Sequence, residues 1–202
     1  MTDIIRSPRP SPELPSRLAE RELGFWLFLM SDLVIFALLF ATYGVMADRV
    51  AGGPSAEELL ELRRPLLETL LLLTSTLTMG IASLFWQSGK VRYPLILWLG
   101  MTLVCGGGFL YLELQELRHL LEQDAGPSRS GFLSAFFVLV GTHGLHVCLG
   151  MLWGLFMICQ LLLRGLDAEV ASRLQRLGSY WHLLDVVWIV IISAVYLPGA
   201  MP

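Results

Sequence analysis

Two histidines three residues apart, His143 and His146, sit mid-way along GFLSAFFVLVGTHGLHVCLGMLWGLFMICQLLL, residues 131–163, a run with no charged residue. At i,i+3 they share one helix face. Imidazoles so placed can ligate a metal, relay a proton or hydrogen-bond between helices. His182 and Asp185 repeat the spacing, and so do Glu113 and Glu116. A two-histidine metal site needs a third or fourth donor, which His182 and Asp185 could supply, but no facing ligand pair completes a zinc-type motif. The plainer reading is a neutral hydrogen-bonded cluster that ties helices together. Asp32 is a single carboxylate inside another apolar run. It reads either as a buried acid bonded to a neighbouring histidine or hydroxyl (Ser31 and Thr42 share its helix) or as a proton-relay carboxylate.

The elements that must position these groups are membrane helices. The chain has 202 residues, 55% hydrophobic and 15% charged, with a mean hydropathy of +0.65. Soluble domains carry about a quarter charged residues. The charges cluster between apolar runs too long and continuous for barrel strands, so the spans are helices. The net charge of −3 leaves no basic stripe for nucleic acid. Cys105, Cys148 and Cys159 lie in apolar runs without a CxxC and read as buried small hydrophobes. No GxSxG, P-loop or dinucleotide fingerprint is present, and no internal repeat supports a two-halved transporter.

The predicted fold is all-α, a bundle of five transmembrane helices over 22–46, 65–87, 93–117, 131–163 and 177–197 in one membrane domain, 22–202. Residues 1–21 read as a disordered cytoplasmic tail with no cleavable signal peptide. Five spans put the termini on opposite sides. The N-terminal side carries Arg6, Arg9, Arg17, Arg21, Lys90, Arg92, Arg164, Arg173 and Arg176, against Arg49, Arg63, Arg64, Arg118 and Arg129 on the other. This bias places the N-terminus in the cytoplasm and the C-terminus in the periplasm. At about 1.5 Å per residue, Asp32, His143, His146, His182 and Asp185 all fall about 18–22 Å below the outer helix ends, in one mid-membrane layer. Glu113 and Glu116 are expected within about 6 Å of the outer end of their helix, ion-paired with loop arginines. Gly106, Gly107 and Gly108 suit close helix approach or a kink, and Trp26, Trp86, Trp98, Tyr180 and Trp181 suit interface anchoring.

Several longer motifs carry a resemblance. SGFLSAFFVLVGTHGLHVCLG and SYWHLLDVVWIVIISAVYLPGAM resemble subunit III of the haem-copper terminal oxidases, most closely the ubiquinol oxidase (cytochrome bo-type) branch, with cytochrome c oxidase subunit III as the alternative. The family's HGLHV motif falls on His143–Val147, its WHxxDVVW motif on Trp181–Trp188, its acidic helix end on Glu113 and Glu116, and ETLLLL starts at Glu68. Asp32 matches the family's intramembrane carboxylate, a position where many cytochrome c oxidases have Glu. The resemblance implies an accessory subunit with no active site of its own, in a proton-pumping complex that oxidises ubiquinol and reduces dioxygen. Haems and copper would then sit in subunit I. It further implies subunits I, II and IV as partners, bound phospholipid, and the bacterial inner membrane as location. From residues alone, a stand-alone proton-coupled carrier using Asp32 and the buried histidines is the alternative of another class.

Overall fold

The computed structural model describes residues 13–52, 62–88 and 92–199, with backbone alone for 13–19 and 88. The expected tail over residues 1–12, the acidic loop over 53–61 and Lys90 lie outside the described residues. The described chain is all-helical: α1 Glu13–Met46, α2 Arg63–Ser88, α3 Arg92–Glu122, α4 Gly131–Arg164 and α5 Ala168–Ile191. A π-helical turn, Ile192–Tyr196, and a last short helical turn, α6, Leu197–Gly199, continue α5. Five of these stretches are long and apolar enough to cross a membrane: Glu20–Met46, Arg63–Gln87, Arg92–Glu122, Gly131–Arg164 and Ala168–Gly199.

Three helices run past their predicted ends, because leaving the hydrocarbon does not stop a helix while its residues still favour one. α1 starts at Glu13 rather than 22, so residues 13–21 are helical and not disordered. Pro15 sits in the first turn, where its missing N–H costs nothing, and Ala, Arg, Glu and Leu follow. α3 ends at Glu122 rather than 117, with Leu120 still buried and Asp124 turning the chain at φ +56°. α5 starts at Ala168 rather than 177. Asp167 caps it by accepting from the Val170 N–H at 2.7 Å, and Val170, Leu174 and Leu177 continue the buried stripe at helical spacing. The Asp167 cap and the Glu169–Arg173 pair at 2.7 Å mark this as a helical start, not a loop. α4 keeps its predicted start. Ser130 accepts from the Leu133 N–H at 3.2 Å, and Gly165 at φ +83° stops the helix.

The chain divides into two compact units, residues 1–35 and 36–202. In the first, Leu29 and Asp32 are buried while Leu27 and Val34 are outward. In the second, α2 packs on α3 and α5, α3 on α4, and α4 on α5, a closed ring of four helices. Met79, Leu95, Leu99, Met157, Leu174 and Trp181 form its core. Residues 36–46 of α1 lie against α4, with Tyr43 beside Phe132 at 6.1 Å and the Phe132 N–H bonded to the Arg49 carbonyl.

α3 runs unbroken through Gly106–Gly108, so these glycines serve approach and not a kink. A Cβ at Gly106 would lie 3.0 Å from Trp181 Cη2, and one at Gly150 would lie 3.2 Å from Trp181 Cζ3. The Trp181 indole is thus held between α3 and α4 at two positions that have no side chain. Trp181 and Tyr180 are core residues, not the interface anchors predicted for them. Cys148 and Cys159 are exposed and Cys105 is half-buried, where burial was expected. A bilayer makes the outward face as apolar as the interior, so a thiol has no reason to prefer one over the other.

Candidate functional site

α2 and α5 meet along a line of polar contacts. The Trp188 Nε1–H donates to Thr69 Oγ1 at 3.0 Å, the Trp181 Nε1–H donates to Ser75 Oγ at 3.0 Å, and the Thr76 hydroxyl donates to Asp185 Oδ2. α3 joins through Thr78 and Thr102, 2.8 Å apart. Each indole and hydroxyl has a partner on another helix, so the contacts fix register as well as proximity. A double-mutant cycle on Trp188→Phe and Thr69→Val is expected to give a coupling of about 0.6 kcal/mol, read from unfolding in detergent. A coupling of zero would show that the bond fixes nothing.

Among the described residues, His143 stands apart from a hydrogen-bonded mid-membrane layer. His143 is fully buried, but neither ring nitrogen has a hydrogen-bond partner among the described residues. Its ring stacks on Trp188 (5.4 Å between centroids, 28°), stands edge-on to Phe109 (5.6 Å, 90°) and nears Phe36 (6.3 Å). At His143 an aromatic box stands where a polar contact was expected, built by three elements whose rings sequence spacing alone could not bring together. His146 Nδ1 bonds the Thr142 carbonyl of its own helix at 2.7 Å, and its ring lies 5.1 Å from Phe36. Its carbonyl accepts from the Tyr180 hydroxyl at 3.0 Å, which ties α4 to α5. Asp185 is buried, while His182 Nδ1 lies 3.8 Å from Asp185 Oδ2 on the same helix and the imidazole is half-exposed. Asp32 is buried at 6% exposure on α1, in the first unit. Among the described residues, no three His, Cys, Asp or Glu side chains converge as a metal ligand set.

Glu113 and Glu116 are also displaced from expectation. Because α3 extends to Glu122, Glu113 lies nine residues, about 14 Å, inside its end. Both carboxylates are buried. Glu116 Oε2 accepts from the Tyr196 hydroxyl at 2.9 Å. The Glu113 carboxylate lies over Gly144, where a Cβ would be 2.7 Å from either oxygen. Glu68 of α2 joins them, fully buried, and no hydrogen bond reaches either of its oxygens or those of Glu113 among the described residues. Sequence reasoning placed Glu68 at a helix start and gave it no role. Its signal was a carboxylate inside an apolar helix, the same signal that singled out Asp32. Tyr196 was missed because it enters the bundle only through the π turn. Charges one turn from a helix end suggested loop arginines as partners, but packing buries these carboxylates among themselves.

The arrangement ties helices together and encloses carboxyl groups. His143 is closed off by rings on three sides. Comparison with known proteins agrees with such a part. The family model for cytochrome c oxidase subunit III matches residues 18–200. The cytochrome bo(3) ubiquinol oxidase subunit 3 of Pseudomonas aeruginosa is 48% identical over 178 residues, 88% of this chain and 85% of that protein. The quinol oxidase subunit 3 of Bacillus subtilis is 43% identical over 88% of this chain and 86% of its own. The cytochrome c oxidase subunit 3 of a Bacillus species is 42% identical over 93% of each. With a match across nearly its whole length and relatives this similar from end to end, the chain belongs to the cytochrome c oxidase subunit III family.

Proposed function

We propose that this chain is the third subunit of a ubiquinol oxidase in a bacterial inner membrane, and that it carries no chemistry of its own. The observation that carries this reading is the 48% identity to a ubiquinol oxidase subunit 3 across 88% of the chain. The 42% identity to a cytochrome c oxidase subunit 3 supports a second reading, in which the same scaffold serves a cytochrome c-dependent complex. In both, haems and copper belong to the large subunit. This chain docks against that subunit, supports its assembly, and meets subunits II and IV. The N-terminus faces the cytoplasm and the C-terminus the periplasm, as the loop arginines favour. Phospholipid acyl chains fit apolar grooves such as the one of about 230 Å³ between residues 39–46 of α1 and the start of α4, lined by Leu39, Thr42, Met46 and Ala135. Buried Asp32, His143 and Asp185 and part-buried His146, with Glu113 and Glu116, order the helices rather than react.

Affinity purification of the tagged chain from its own membranes tests this. The chain is expected to travel with a haem-bearing large subunit in a preparation that consumes oxygen with ubiquinol, and to show no haem absorbance once separated. A Soret band from the isolated chain would overturn the accessory role. Oxygen uptake with reduced cytochrome c instead of ubiquinol would select the second reading. Deletion of the chain is expected to leave electron transfer in the large subunit working but to shorten its active lifetime.

A further inference from the structure

The outward face of α5 differs from every other outward face of the second unit. Along the middle of α4 the large exposed side chains, Leu145, Leu149, Leu152 and Phe156, are all apolar and suit lipid. Along α5 and the π turn that continues it, the outward line is Gln175, part-buried Ser179, His182, Val186, Ile189 and Ser193. Its spacing alternates four and three residues, the 3.5-residue repeat of a seam between two helices. His182 is the fifteenth residue of the span Ala168–Gly199, about 21 Å from its start, and its side chain is 51% exposed. Among the described residues, no other carboxyl, imidazole or basic side chain is exposed in the middle third of a span. An imidazole held against hydrocarbon at that depth costs several kcal/mol, and such groups pair across protein contacts instead. Asp185 is no substitute partner: its Oδ2 is 3.8 Å away and accepts from Thr76, and its Oδ1 has no hydrogen-bond partner among the described residues. Nδ1 is the ring nitrogen turned toward Asp185, which leaves Nε2 for a group outside the chain.

We infer that this seam is the seat of a transmembrane helix from another subunit of the oxidase, one that sets a hydrogen-bonding side chain (carboxyl, amide or hydroxyl) against His182 Nε2. The inference rests on the chain's place in an oxidase complex and adds which face is covered and by what chemistry. Lipid cannot satisfy the seam, because headgroups do not reach mid-membrane and acyl chains offer neither donor nor acceptor. The small side chains of Ser179, Val186 and Ser193 let a second backbone come close, as helix contacts in bilayers favour.

The test uses the whole complex in native membranes. Val186, 58% exposed on the seam, is replaced by the photo-crosslinker p-benzoylphenylalanine, and Leu152 of α4, also 58% exposed, is replaced likewise as the control. On irradiation, Val186 is expected to give one discrete adduct with a co-purifying membrane subunit, and Leu152 to give lipid adducts. Val186 adducts with lipid alone, in a complex that still contains the large subunit, would overturn the seam while leaving the subunit assignment standing. A discrete adduct with a protein that is no part of an oxidase would overturn both. In the same complex, His182→Leu is expected to lower retention of the crosslinked partner through detergent extraction about tenfold while leaving the chain's own unfolding midpoint unchanged or raised. Equal retention in both complexes would remove His182 as the anchor.

Discussion

Trp181→Ala is expected to destabilise the helix ring by about 3 kcal/mol, the largest single-residue effect in the chain. The hydrophobic transfer term that dominates such losses in water contributes little here, since an unpacked side chain in a bilayer meets lipid. What remains is the cavity and its lost dispersion contacts. They are large at this site, because the indole is 1% exposed and lies against both Gly106 and Gly150. Its Nε1–H bond to Ser75 adds a smaller loss. Trp181→Phe, which keeps most of the volume and drops the bond, is expected to cost well under half as much. Titration with SDS in mixed micelles, followed by far-ultraviolet circular dichroism, reads both. A loss below about 1 kcal/mol for the alanine variant would mean that neighbours collapse into the space, contrary to the fixed backbones on either side.

The second large effect comes from adding one carbon. Gly144→Ala should stabilise an isolated helix by about 1 kcal/mol, since glycine is the poorer helix former. In this bundle the sign is expected to reverse. The new Cβ would lie 2.7 Å from both Glu113 carboxylate oxygens and 2.9 Å from the carboxyl carbon, and both oxygens are buried. The cost is expected at about 1–3 kcal/mol, as for other overpacked sites. Glu113→Ala should cancel it, so that the two substitutions show strong coupling in a cycle. Glu113→Gln keeps the shape and removes the charge, so the cost of Gly144→Ala should persist in that background. If the cost vanished with glutamine, charge and not contact would govern the pair. If Gly144→Ala proved stabilising with Glu113 intact, the close approach of α3 and α4 would be wrong.

The five spans were legible because their signal is local: about twenty apolar residues in a row can be only a few things. Helix ends were not, because the rule that reveals a span looks for hydrocarbon-compatible residues, whereas a helix stops where its caps and backbone say so. Glu113 shows the consequence. A five-residue error at the end of α3 turned a buried carboxylate into an expected surface ion pair. The His143 and His146 pair was found by spacing, yet its surroundings were not. Spacing identifies residues that share a face, but Phe36, Phe109 and Trp188 reach His143 from three separate helices. The outward position of His182 was equally hidden, since its i,i+3 relation to Asp185 would also suit a helix buried on that side. Glu68 needed only the reasoning already applied to Asp32, and was passed over for lying near a helix start.

The π turn at Ile192–Tyr196 has a consequence for length variation in this end of the chain. Its Leu197 N–H reaches back five residues to the Ile192 carbonyl, so the turn holds one residue more than an α-helix would. Deleting Ala194, which is exposed, is expected to let the segment wind as ordinary helix and keep its helical content. The Leu197 N–H would still reach the Ile192 carbonyl, then four residues back, so Tyr196 would keep its side toward Glu116 on α3. Coupling between Tyr196→Phe and Glu116→Gln, measurable in the full-length chain, should therefore persist in the deletion, and its loss would show that the π turn itself aims Tyr196. A single codon lost there would change the length of the segment and leave the contact standing, so the π turn is a place where relatives can differ by one residue without re-aiming the side chains on either side.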